Sequence, residues 1–144
     1  MTMTCFAARP PHNHCTMQLY DFDGSVIISN EGDLLTRLKS VRRGNYGAFE
    51  LSHENDFPAL FVEFNRNIAY MHYFPAEEHP GYQPKDMTPD GCPNVVHFLP
   101  IKGSEADSID MPDYALVSAE TAYAVAVEFF RSPDLPRSVS WFEL

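Results

Sequence analysis

Apolar positions along this chain follow two periods, and the switches between them coincide with turn residues. Between Gly47 and His53, Phe49, Leu51 and His53 alternate with Ala48, Glu50 and Ser52. That two-residue period is the mark of a strand with one face on a core. The run Ala59 to Phe64 places Leu60, Val62 and Phe64 on one face. After the hairpin-length Asn65-Arg66-Asn67, Ile68 to Phe74 places Ile68, Tyr70, His72 and Phe74 on one face of a returning strand. Three short strands this close in sequence predict an antiparallel meander. Upstream, Gln18 to Ile28 reads as strand broken or flanked by Asp21-Phe22-Asp23-Gly24, because Asp-Gly is a strong turn signal.

The helical period appears twice. Leu34, Leu35, Leu38 and Val41 share a face, with Ser29 or Asn30 as N-cap and Glu31 and Asp33 in the first turn. Arg37, Lys39, Arg42 and Arg43 crowd the other end, and Gly44 is the expected stop. In the second helix Ser118 is the cap, Glu120 lies in the first turn, and Ala122, Tyr123, Ala126, Val127 and Phe130 form the stripe. Arg131 lies in its last turn and Ser132-Pro133 ends it. Asn94 to Leu99 and Tyr114 to Val117 read as further strands. The tail SVSWFEL reads as a closing strand with Trp141 as core anchor beneath the second helix. These elements predict an α+β fold with a mainly antiparallel sheet of about five to seven strands and two helices. The C-terminal helix packs on the sheet and a closing strand follows it.

Two stretches carry neither period. Residues 75–93 are rich in proline and glycine, and residues 101–113 are acidic; both read as long loops, which are often functional. Residues 1–16, with Arg9-Pro10-Pro11, read as a loose extension ahead of one domain spanning 17–144. Its Cys5, His12, His14 and Cys15 are metal-ligand types at a spacing that matches no zinc pattern.

Charge narrows the function classes. Twenty acids against ten bases give a net charge of −10, so a direct nucleic-acid ligand or an anionic membrane is not expected. Such a surface attracts basic proteins instead. The excess is concentrated. From Glu77 to Asp113 there are eight acids against Lys85 and Lys102. No apolar run approaches the ~20 residues of a membrane span, and no secretory leader pattern opens the chain. Three cysteines without framework spacing fit a reduced, cytoplasmic setting.

Catalytic templates mostly fail. GxGxxG, a P-loop, GxSxG, HExxH, CxxC and the zinc-deaminase signature are absent. His72 and His97, which could face one pocket with a carboxylate such as Glu50 or Glu63, are the best constellation available to a small enzyme. Cys92 has no sequence-local base to activate it. No cofactor or metal is expected. The two loops, carrying Tyr82, Met87 and Met111 amid charge, instead have the composition of a protein-binding surface.

Three features recur in a particular order. Asp21-Phe22-Asp23-Gly24 precedes a strand and a Leu-rich helix. Ser118-x-Glu120 opens an Ala/Phe helix ending near Phe129-Phe130. Pro136-x-x-x-x-Trp141-x-Glu143-Leu144 closes the chain. This order resembles the immunity protein family numbered first among those of bacterial polymorphic toxin systems, whose members include partners of nucleic-acid deaminase toxins. The resemblance spans roughly Met17 to Leu144, and the C-terminal motif is its most specific part. It implies a non-enzymatic cytoplasmic inhibitor in interbacterial competition, binding a cognate toxin 1:1. The partner implied is a toxin domain, a deaminase or nuclease, with a basic active-site cleft. The charge pattern makes Glu77, Glu78, Tyr82, Asp86, Asp90, Glu105, Asp107, Asp110 and Asp113 the expected contact region. The alternatives are a small enzyme using a His/carboxylate pocket and an adaptor for a partner that is not a toxin.

Overall fold

A computed structural model describes residues 16–102 and 105–144, without the side chain of Glu105. The candidate ligands Cys5, His12, His14 and Cys15 lie outside the described residues. The chain opens with a hairpin, β1 (Met17–Asp21) and β2 (Gly24–Ile28), paired antiparallel. Gly24 closes the turn at φ 116°, a backbone region in which a β-carbon is strained. Asp21 is buried at the hairpin end. One carboxylate oxygen accepts from the Asp23 amide at 2.9 Å, and both oxygens meet the Arg37 guanidinium at 2.6 and 3.0 Å.

Helix α1 (Glu31–Ser40) begins at Asn30, whose side chain accepts from the Asp33 amide at 2.8 Å. It ends at Val41, before Gly44. Arg42 folds back to donate to the Leu38 and Val41 carbonyls at 2.6 and 2.9 Å, satisfying helix-end acceptors in place of a glycine cap. The meander then forms as expected: β3 (Tyr46–Ser52), β4 (Ala59–Asn65) and β5 (Ile68–Phe74).

Beyond β5 the structure adds pieces that periodicity did not indicate. The 75–93 stretch contains β6 (Tyr82–Pro84). The expected strand at 94–99 is β7 (Val95–Phe98), and the second loop supplies its partner β8 (Ile109–Pro112). β9 (Leu116–Ser118) leads into α2 (Ala119–Arg131), capped by Ser118, whose hydroxyl accepts from the Thr121 amide at 3.1 Å. β10 (Trp141–Glu143) ends the chain.

The main sheet has eight strands in the order β10-β6-β5-β4-β3-β1-β2, with β9 also paired to β5; β7 and β8 form a separate two-stranded sheet. All these pairings are antiparallel. The architecture is therefore α+β, with α2 packed on the sheet and a closing strand after it. That strand docks at the sheet edge on β6 rather than under α2. Trp141 packs beside Tyr73 and donates its indole N–H to the Pro136 carbonyl at 2.7 Å, while Phe142 and Leu144 stay exposed.

The larger core lies between the sheet and the two helices. Leu34 and Leu38 of α1 and Ala122, Val125, Ala126 and Phe129 of α2 meet Phe49, Leu51, Leu60, Val62, Phe64 and Met71. Each fully buried aliphatic or phenyl group of this kind contributes about 1.5–3 kcal/mol. The helix stripe is turned from the expected one, since Val125 and Phe129 are wholly buried whereas Tyr123 and Val127 lie at its margin. A second, smaller core on the opposite face joins Tyr70, Val96, Phe98, Ala115 and Leu116.

Candidate functional site

Strand alternation gives the sheet two faces, and register decides which residues become neighbours on each. On the face away from the helices, one row runs Tyr20–Glu50–Phe61–His72 across β1, β3, β4 and β5. The rows on either side are Ala48–Glu63–Tyr70 and Ser52–Ala59–Phe74. The β7–β8 hairpin covers the Tyr70 end of this face, where Phe98 and Leu116 pack. The rest is left open as a groove of about 760 Å³.

Aromatic rings and carboxylates line that groove together. Phe57, Phe61 and Phe74 supply apolar surface, with Phe61 and Phe74 edge-to-face at 5.2 Å. Glu50, Asp56, Glu63 and Glu77 supply carboxyl groups, and Lys102 is the one base among the described residues of the lining. Glu50 and Glu63 are diagonal neighbours on adjacent strands, an arrangement that separates backbones by roughly 7–8 Å. Oε1 of Glu63 is buried and has no hydrogen-bond partner among the described residues. Burial pushes the Glu63 carboxyl up to about 7. Burial also raises Glu50, against the pull of Lys102 and with the repulsion of Asp56. Tyr70 is pushed up to about 12 by burial and by the charge of Glu63. An ionised carboxylate so placed favours any cation that can enter.

The two histidines do not meet Glu50 or Glu63. His72 lies flat on Phe74 at 4.0 Å, and its Nε2 faces the Pro80 carbonyl at 2.7 Å. A carbonyl only accepts, so Nε2 carries the proton and Nδ1 accepts from the Tyr70 hydroxyl at 2.9 Å. Both ring nitrogens of the neutral form are thus engaged. Burial lowers the His72 pKa against the opposing effect of the Pro80 bond. His97 is exposed on the hairpin and pairs through Nδ1 with Asp110. His72 and His97 are therefore not brought together with Glu50 or Glu63. Nor do three or more His, Cys, Asp or Glu side chains among them converge on a metal position. Burial and the charge of Asp113 raise the Cys92 thiol, which works against a nucleophilic role.

The nine expected contact residues are spread rather than gathered. Glu77 lines the groove. Glu78, Asp86, Asp90, Asp107 and Asp110 are exposed on the loops and hairpin. Asp113 is half-buried, and its backbone links the hairpin to the preceding loop: its amide donates to the Asn94 carbonyl, and its carbonyl accepts from Thr88 Oγ1. Tyr82 is partly buried, stacked on His79 at 5.3 Å and packed against Tyr73. The side chain of Glu105 lies outside the described residues.

Sequence reasoning named Glu50 and Glu63 only as possible partners for a histidine, and it missed Asp56, Lys102, Phe57, Phe61 and Phe74 as neighbours. The available signal was the polar phase of the β3 and β4 alternation. Reading it required the β3–β4 register.

The helix side differs. A shallower depression of about 510 Å³ there is lined by Leu35, Lys39, Glu120, Tyr123, Val127, Glu128 and Arg131, with charges of both signs. Bases on this side already have partners: Arg131 on Glu31, Lys39 over the Tyr123 ring and Arg42 over Phe64. Comparison of the sequence with protein-family models and with curated proteins finds no match.

Proposed function

We propose that the protein is an immunity protein that binds and neutralises a cognate bacterial toxin, a nucleic-acid-targeting deaminase or nuclease, by occluding its active-site cleft. The observation that carries this reading is the uneven placement of charge. Several of the bases are engaged around the helices, while exposed acids occupy the loops and hairpin beyond β5 and continue into the groove through Glu77. A toxin that holds phosphates needs a basic cleft. An acidic surface can occupy that cleft in place of the nucleic acid, and opposite charge speeds the encounter. The order of motifs from Asp21 to Leu144 supports the same reading.

Capture of the tagged protein with its partners from its own cells, at low and at high salt, tests this. The expected result is salt-sensitive, near 1:1 recovery of a basic toxin domain whose activity on nucleic acid falls when the protein is added back. Recovery of no toxin at either salt, or of a toxin that remains fully active in the complex, overturns the reading.

A further inference from the structure

The groove on the open sheet face is lined by carboxyl groups, two of which, Glu50 and Glu63, are partly desolvated. Four carboxylates line it against Lys102. The Glu63 oxygen at its wall is buried without a hydrogen bond among the described residues, although a buried polar atom normally has one. A cation held in the groove would act on that carboxyl group through its charge, favouring the ionised form.

The lining also restricts which cation fits. The carboxylates are spread over β3, β4 and the adjoining loops, and no three of them converge to coordinate a metal ion. Between and beside them lie Phe61 and Phe74, which suit an apolar stem and a planar, weakly hydrated head. A guanidinium meets both demands, because its fork can donate to two carboxylates while its plane lies on an aromatic ring. An ammonium is a compact, strongly hydrated point charge and uses the aromatic surface less well.

We infer that this groove accepts an arginine side chain of a basic protein partner, with the guanidinium held by Glu50 and Glu63 and the stem lying on Phe61 and Phe74. The identity of the partner as a toxin rests on the function proposed above; the chemistry of the groove does not. Its position extends the expected contact region from the loops onto the sheet, with Glu77 belonging to both.

The test uses the isotope-labelled full chain in an NMR titration, with a blocked Gly-Arg-Gly tripeptide as probe and its lysine and uncharged citrulline counterparts as controls. The arginine peptide should shift the amides of Glu50, Phe61, Glu63 and Phe74 saturably. Citrulline should leave them in place, and lysine should bind more weakly. Glu63→Gln should weaken the arginine peptide by about tenfold or more, since one charge-assisted pair is lost. If that variant fails to fold, Glu50→Gln carries the same expectation. Shifts confined to loop acids such as Asp90 and Asp110, equal binding of arginine and citrulline, or undiminished binding in the folded variant would each overturn the assignment. Peptide binding in the groove with no toxin captured from cells leaves the groove standing and removes the immunity reading. Toxin capture with no peptide in the groove does the reverse.

Discussion

Along β4, Leu60, Val62 and Phe64 point to the helices and are wholly buried, while Phe61 and Glu63 between them line an open groove. One strand thus serves two environments. On the helix side, apolar groups from α1, α2 and six strands close into a buried core that includes ring contacts such as Phe49–Phe64 and Tyr73–Phe129. On the other side the sheet holds carboxylates in partly desolvated positions that stability alone does not favour. The first face accounts for why the protein folds. The second keeps features that cost stability, and this marks it as the face to examine for binding.

Phe129→Ala should separate the faces most sharply. Its ring is fully buried against Tyr73 and the His53 ring, so its loss should cost about 3–5 kcal/mol in a urea melt. A cost below about 1 kcal/mol would mean that the helix face is not the dominant core.

Glu63→Gln should act in the opposite direction near neutral pH. The native carboxyl titrates near 7 against an ordinary 4.5. Because the native state holds the proton more tightly, its stabilising contribution is full below about pH 4.5 and is lost as pH rises through about 7. The loss is roughly 3 kcal/mol at most. The glutamine variant should be less sensitive to pH between these limits. Half-buried His53 and His72, both lowered, work with the opposite sign, gaining stability as pH rises toward 6.5. The difference between variant and parent melts is therefore the quantity to measure. A parallel pair of pH–stability curves would contradict the buried, unpaired state of Glu63.

Asp110→Asn breaks an exposed pair with His97, whose side chain is 62% accessible against 56% for Asp110, and should change stability by less than about 0.5 kcal/mol. Reversing the charge of Glu105, Asp107, Asp110 and Asp113 together bears on the proposed partner instead. It should weaken toxin capture and flatten its salt dependence; unchanged affinity and salt slope would remove the charge-based contact.

The meander, both helices and both N-caps were legible because their signals are local. Alternation identifies a strand, and Asn30 or Ser118 bonds an amide three residues ahead. β6 was not legible. Three residues among prolines carry no period, and they become a strand by pairing with β10 at the far end of the chain and meeting β5 at one position. β8 was hidden likewise in an acidic loop, held by pairing with β7. The end of α1 was misplaced because Arg42, rather than Gly44, satisfies its carbonyls, and a side chain folding back leaves no mark in a pattern of polarity.

By itself, the sequence determined the α+β class, which residues of β3 and β4 face a core, and the excess of acid beyond β5. These follow from period and charge, which any short window carries. Only the tertiary structure decided that Glu50 and Glu63 become diagonal neighbours beside Phe61, with Phe74, Glu77 and Lys102 on the same groove. That neighbourhood depends on strand register and on where the hairpin leaves the sheet uncovered, and both are set by contacts between residues distant in sequence.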